Sequence, residues 1–133
     1  NKGFILLASD IDYLLPYIDS NMSKDLLNQI SLPSKTPTTF LVPKSGELSP
    51  LLVGDNELLA VRITSNSLIK FFCEKTDSAL ISTSANLNGK KVATTKRELK
   101  YYFGNQLDYA LPPSRYNSEP SRIINLITGE RIR

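Results

Sequence analysis

The 133-residue chain contains no histidine, and this absence excludes several familiar kinds of active site. Without an imidazole there is no Ser-His-Asp triad, no Cys-His pair and no histidine-based zinc site. The one cysteine, Cys73, cannot form an internal disulfide, and its place in an apolar run of helical period indicates a small core residue. Any chemistry must therefore use carboxylates, lysine, arginine, hydroxyl groups or backbone amides.

Long apolar runs and common nucleotide-binding signatures are also missing from the sequence. No apolar stretch approaches the roughly 20 residues that span a bilayer, and no signal-peptide pattern opens the chain. There is no G-x-x-x-x-G-K-[ST] loop and no G-x-G-x-x-G after a strand, and there are no closely paired carboxylates flanked by apolar residues that would indicate a glycosidase. The sequence predicts a cytoplasmic protein that has no membrane partner. The missing motifs leave it unassigned to any of the common nucleotide-binding folds.

Charge is divided unevenly along the chain. Residues 1–62 hold 5 basic and 7 acidic side chains, whereas residues 63–133 hold 11 basic and 6 acidic ones. This asymmetry favours an anionic partner, although a solvated surface explains it equally well. Tyr101 and Tyr102 lie beside Lys96, Arg97 and Lys100, a pattern that fits nucleic-acid contact but is more typical of an amphipathic helix with a solvated basic face.

The pattern of apolar residues predicts an α/β fold of the α+β type, a mixed sheet with flanking helices. Strands are predicted at 4–8, 38–42, 57–63, 79–83, 122–126 and 130–133. Helices are predicted after a Ser23 cap, over 67–74, and from a Thr95–Glu98 capping box to Gly104. The segment after Ser9 should form a helix that Pro16 shortens or kinks, and the stretch with Gly46, Pro50 and Gly54 should be turn.

Arg62 is a candidate anion ligand because it lies late in an otherwise apolar strand. A guanidinium in that position must find an anion or remain unpaired, and it can hold a carboxylate or phosphate with two hydrogen bonds. An internal ion pair with an acidic side chain is an equally good explanation.

A run of hydroxyl and amide side chains follows the strand at 79–83. Ser82, Thr83, Ser84 and Asn86 come where the apolar character stops, and ligands of open α/β sheets bind outside strand carboxyl ends. Asn86 tolerates the left-handed backbone of an anion-binding turn. Composition alone favours a polar turn that satisfies its own backbone. The functional hypothesis places Arg62 and this run together, where two interior strands end.

Several segments together resemble the YrdC/TsaC family of threonylcarbamoyl-AMP synthases, over nearly the entire chain. They are, in order, K-G-F-I-L-L-A from Lys2, T-F-L-V-P from Thr39, L-A-V-R-I from Leu59, S-T-S-A-N-L-N-G from Ser82, Phe103-Gly104, P-S-R-I from Pro120 and T-G-E from Thr128. Each segment alone is a weak signal, but the combination is specific.

The resemblance implies one YrdC-like domain over residues 1–133, with a twisted sheet whose concave face is positively charged. It implies synthesis of threonylcarbamoyl-AMP from L-threonine, bicarbonate and ATP, with Mg²⁺, for tRNA threonylcarbamoyladenosine modification. Carried over residue by residue, the substrate-binding positions would be Arg62, Ser82, Ser121 and Thr39, with Arg62 on the threonine carboxylate. The nucleotide-binding positions would be Ser84, Asn86 and Arg133, and no residue acts as a covalent or acid–base catalyst.

The family also places a Lys-x-Arg pair before the segment that begins at Lys2, and in the sequence as given nothing precedes Asn1. We therefore expect an N-terminally truncated chain that by itself lacks charges for the ATP phosphates. Expected partners are tRNA or double-stranded RNA and other proteins of the threonylcarbamoylation pathway. A non-catalytic RNA-binding module and an accessory domain of a larger carbamoylating protein remain alternatives.

Overall fold

A computed structural model describes residues 3–46, 48–112 and 120–133 and contains a five-stranded mixed sheet. The strands are β1 Ile5–Ala8, β2 Thr38–Pro43, β3 Leu58–Ile63, β4 Leu80–Ser82 and β5 Arg122–Asn125, in the order β4-β1-β3-β2-β5. The pairs β1–β3 and β2–β5 are parallel, whereas β1–β4 and β2–β3 are antiparallel. The α/β prediction is confirmed.

Four α-helices and two short 3-10 helices accompany the sheet in the described residues. The 3-10 helices, Ile11–Tyr13 and Leu15–Tyr17, replace the helix that Pro16 was expected to shorten or kink. The α-helices are α1 Lys24–Ile30, α2 Pro50–Val53, α3 Ser67–Thr76 and α4 Lys96–Phe103. The prediction of turn around Pro50 was wrong: Pro50 fits the first helical turn, and Gly54 ends the helix with a φ of 63°.

The two faces of the sheet differ in burial, and this difference locates the core. Along β3, Leu59, Val61 and Ile63 are buried, while the alternate residues on the other face are only partly buried. The buried face belongs to a cluster that includes Leu14, Ile30 and Cys73 from the helical segments. Cys73 is fully buried within it, as predicted. Among the described residues, the other face of the sheet is only partly covered.

Two predicted strands differ from their expected places. The strand at 79–83 was predicted to lie inside the sheet, but among the described residues β4 is an edge strand, and Ile81 is 65% exposed. The segment expected as a strand over 130–133 contributes one isolated bridge, between Ile124 and Arg131. The edge position of β4 depends on strand order, which local sequence patterns do not encode.

Within the described ranges, residues 3–82 and 120–133 form one compact unit, and residues 83–112 form a second. The first unit holds the sheet and the apolar cluster. The second holds the polar loop after β4 and helix α4. The single domain expected over 1–133 stays a prediction.

Candidate active site

Arg62 lies on the partly buried face of the sheet, next to the end of β3. It pairs with Leu7 of β1, and it alternates with Val61, whose side chain enters the core. Throughout the residues that the structure describes, its guanidinium makes no hydrogen bond and no ion pair. The internal ion pair that the sequence left open is therefore not formed with those residues.

Thr39 and Ser121 form a hydroxyl pair on the same face as Arg62. Phe40 pairs with Val61, so Thr39 and Arg62 are the next residues along the two antiparallel strands and share the opposite face. The Oγ atoms of Thr39 and Ser121 are 2.9 Å apart. Thr39 is 0% exposed and Ser121 is 8% exposed. A ligand on this face therefore meets Ser121 before it meets Thr39.

Arg133 lies against Ser121 in the same compact unit. Its Nε and Nη2 atoms donate to the Ser121 carbonyl oxygen, at 3.3 and 3.1 Å. The arginine reaches this carbonyl because the chain turns back after β5, and the Ile132 amide bonds the Ile123 carbonyl at 2.8 Å. Arg133 thus places a second guanidinium at the main chain of Ser121.

Ser82 faces the same side of the sheet as Arg62, but the two residues do not lie at the same end of the strands. It pairs with Ile5, whereas Arg62 and Leu80 both pair with Leu7. From standard strand spacings, the Cα atoms of Ser82 and Arg62 are roughly 12 Å apart. Because β4 runs antiparallel to β1 and β3, the expectation that two interior strands end together was wrong. The side chains nevertheless point to one side of the sheet.

The second compact unit contains Ser84 and Asn86, and its loop is ordered by Asn86. The Asn86 Nδ2 atom donates to the carbonyls of Leu87 and Lys90, at 3.2 and 2.9 Å. Asn86 tolerates a left-handed backbone but does not adopt one; Gly89 adopts it instead, with a φ of 74°. Ser84 is exposed, and its main-chain carbonyl accepts a hydrogen bond from the backbone N–H of Asn86. Their nucleotide-binding roles stay predictions.

No group of three or more His, Cys, Asp or Glu side chains suited to a metal ion occurs in the described parts of the chain. Mg²⁺ is usually held by one or two carboxylates together with substrate phosphates. A group of three or more such side chains is therefore not what a magnesium site of this kind requires. Likewise, no helix in these ranges has the length and apolar character needed to cross a membrane.

Comparison with known proteins identifies the family. The model of the Sua5/YciO/YrdC family, described as "Telomere recombination", matches residues 1–133. The chain belongs to the Sua5/YciO/YrdC family. Two curated relatives of the chain are named threonylcarbamoyl-AMP synthase. The one from Idiomarina loihiensis is 35% identical over 99% of the chain, and the one from Nitrosococcus oceani is 38% identical over 100%. The chain spans 72% of the length of each relative.

A solved structure agrees with the fold of this Sua5/YciO/YrdC chain. The crystal structure of P. abyssi Sua5, complexed with L-threonine, superposes with a TM-score of 0.79 at 17% identity. It covers 95% of the chain, which spans 37% of that Sua5 protein. At this identity the likeness concerns the fold, and it confirms the family's mixed sheet with flanking helices.

One positioning residue of this Sua5/YciO/YrdC chain was missed by sequence reasoning. Asn125, at the end of β5, accepts hydrogen bonds from the amides of Ile127 and Thr128, at 3.0 and 3.2 Å. This Asx turn, followed by Gly129 with a φ of 71°, returns the chain to Arg133. An asparagine three residues before Thr-Gly is the signal that could have indicated it.

Proposed function

We propose that the protein is an L-threonylcarbamoyladenylate synthase and that the partly buried sheet face binds the amino acid. In this reaction the threonine amine and bicarbonate form a carbamate and water. A carbamate oxygen then attacks the α-phosphorus of ATP, the bond to the β-phosphate oxygen breaks, and pyrophosphate leaves. The names of the curated relatives support this assignment.

The observation that carries the proposal is the guanidinium of Arg62, which is unpaired among the described residues and shares its sheet face with hydroxyl groups. A partly buried arginine that makes no internal hydrogen bond or ion pair among the described residues suits an anionic group of the substrate. Arg62 would hold the threonine carboxylate through two parallel hydrogen bonds. Ser121 and Ser82, on the same face, would contact the rest of the amino acid.

The lack of histidine agrees with this chemistry. The carbamate is itself the nucleophile, so the protein has to position the reactants and offset negative charge. The resemblance assigns Ser84, Asn86 and Arg133 to the nucleotide, with ATP as substrate. Arg133 is exposed and has a guanidinium beside Ser121, which suits a role near the phosphates. Mg²⁺ would be carried with those phosphates.

The decisive experiment measures pyrophosphate release by the product of the whole gene with ATP, bicarbonate and Mg²⁺. Release should require L-threonine and should yield one pyrophosphate for each threonylcarbamoyl-AMP detected by mass spectrometry. L-Valine, which has the shape of threonine without its hydroxyl group, serves as the matched control. Pyrophosphate release at the same rate without threonine would refute the proposal.

A second candidate function, RNA binding, is favoured by one surface of helix α4. Lys96, Arg97, Lys100 and Tyr101 lie at helical spacing and are all exposed, with Tyr101 at 85%. A row of cations beside an exposed aromatic ring fits phosphates and an unstacked base. This surface would bind tRNA or double-stranded RNA, and its salt dependence provides the test given in the Discussion.

A further inference from the structure

Thr39 is the most buried polar residue on the sheet face that carries Arg62. Its side chain is 0% exposed, so its hydroxyl is shielded from any ligand that approaches from solvent. Within the described residues, its Oγ1 atom has one hydrogen-bond partner, Ser121 Oγ at 2.9 Å. We propose that Thr39 is a positioning residue, which orients the Ser121 hydroxyl as a hydrogen-bond donor toward the bound amino acid.

The direction of the Thr39–Ser121 hydrogen bond follows from burial. Either oxygen can be the donor on distance alone. If Ser121 donated, the hydroxyl hydrogen of Thr39 would have no acceptor among the described residues in a fully buried position, which costs about 1–3 kcal/mol. If Thr39 donates, both its hydrogen and one Ser121 lone pair are satisfied. Thr39 therefore donates and Ser121 accepts.

This direction leaves the hydroxyl hydrogen of Ser121 free for a ligand. Arg62 and Ser121 then present donors to the same sheet face, which suits the oxygens of a carboxylate and disfavours a ligand that offers a donor there. The Ser121 main chain is held as well, since the Arg133 guanidinium donates to its carbonyl at 3.3 and 3.1 Å. The serine is thus fixed through both its hydroxyl and its backbone.

The inference rests on the proposed function, because it concerns how the amino-acid substrate is held. Thr39→Val keeps the shape of the side chain and removes the hydroxyl, so threonine affinity measured by calorimetry should fall about tenfold. Thr39→Ser restores the hydroxyl and should bind within about twofold of the unsubstituted protein. The matched control is Thr38→Val, an adjacent threonine on the opposite face whose hydroxyl donates to the Thr36 carbonyl at 2.8 Å.

A double-mutant cycle separates positioning from a general structural effect. In a Ser121→Ala background, Thr39→Val should change threonine affinity by less than about twofold, because the hydroxyl that it orients is gone. A tenfold loss that persists in that background would overturn the inference. Thr39→Ser binding as weakly as Thr39→Val would overturn it too.

A measurement without ligand distinguishes failure of the inference from failure of the proposed function. Side-chain NMR couplings of Ser121 should report one rotamer in the unsubstituted protein and in Thr39→Ser, and rotamer averaging in Thr39→Val. Averaging already present in the unsubstituted protein, or one rotamer retained in Thr39→Val, contradicts the positioning role even if threonine binds. Expected rotamers together with no threonine binding at all would refute the proposed substrate and leave the positioning of Ser121 supported.

Discussion

Arg62 differs from exposed cations of the same unit in lying half-buried on a sheet face that also carries hydroxyl groups. Replacing it with alanine should weaken threonine binding by at least about thirtyfold, because truncating one member of a desolvated charge pair costs about 2–5 kcal/mol. The free energy of unfolding should change by less than about 1 kcal/mol, since Arg62 makes no hydrogen bond to a described residue. Calorimetry and urea denaturation measure the two quantities.

Arg122→Ala is the matched control for this residue-scale prediction. Arg122 is an exposed arginine on β5 of the same sheet, and it pairs with Thr38, a neighbour of Thr39 that faces the other way. The Arg122→Ala substitution should leave threonine affinity unchanged within about twofold, because the positive charge that it removes lies outside the site. Equal affinities of the Arg62→Ala variant and the unsubstituted protein would make Arg62 structural.

At the residue scale, the sequence identified groups with unusual surroundings but not their partners. An arginine in an apolar strand stands out because of its desolvation cost, so Arg62 could be identified from the sequence as a cation in unusual surroundings. The Thr39–Ser121 contact joins residues 82 positions apart, and the contact of Arg133 with the Ser121 carbonyl depends on the turn after β5. Neither contact leaves a local pattern in the sequence. The asparagine at 86 orders its loop by side-chain hydrogen bonds rather than by a left-handed backbone.

At the scale of single elements, helix α4 is held by the capping box predicted from Thr95 and Glu98. One Glu98 carboxylate oxygen accepts bonds from the amides and hydroxyls of both Thr94 and Thr95, at 2.8 to 3.1 Å. The hydrogen bond from the Thr94 amide, with those from the two hydroxyls, lowers the pKa of Glu98 from its ordinary value of 4.5. The charged carboxylate is therefore the form that stabilises the start of the helix.

A carboxyl group with a lowered pKa stabilises the fold above its ordinary pKa and loses that contribution as the pH falls through the lower value. Protection of the Leu99 amide, which bonds the Thr95 carbonyl, should therefore decrease as the pH falls below about 4.5. Hydrogen exchange, expressed as protection factors, measures the change. Glu98→Gln is the matched variant, because glutamine keeps an acceptor oxygen but does not titrate. Its protection should stay constant in this range, and a pH dependence equal to that of the unsubstituted protein would contradict the assignment to Glu98.

The elements that could be predicted are those with local causes. The Ser23 and Thr95 caps accept hydrogen bonds from amides within their own helices, and the pattern of β3 follows from alternation alone. The edge position of β4 could not be predicted, because it depends on which strands pair across long stretches of chain. Helix α2 was missed because its four residues, bounded by Pro50 and Gly54, look like a turn in sequence.

At the scale of the whole molecule, the basic second half predicted from the sequence contributes an exposed charged surface. Within 83–112 there are five basic residues, Lys90, Lys91, Lys96, Arg97 and Lys100, against the two acidic residues Glu98 and Asp108, and all seven are exposed. The surplus of three positive charges lies in the unit that also holds the tyrosines of α4. Net charge of this kind governs association with polyanions rather than the fold.

The last prediction tests this surface as an RNA-binding site. Replacing Lys96, Arg97 and Lys100 with alanine should weaken tRNA binding and make its salt dependence shallower, by roughly 0.9 in the log–log slope for each duplex phosphate that the variant no longer neutralises. Fluorescence anisotropy at several salt concentrations measures the slope. A triple alanine variant of Lys24, Lys70 and Lys75, which are exposed on α1 and α3, removes the same charge elsewhere. If binding depends on the α4 surface, the control keeps most of the original slope; an equal weakening in the two variants would show that net charge alone attracts the RNA.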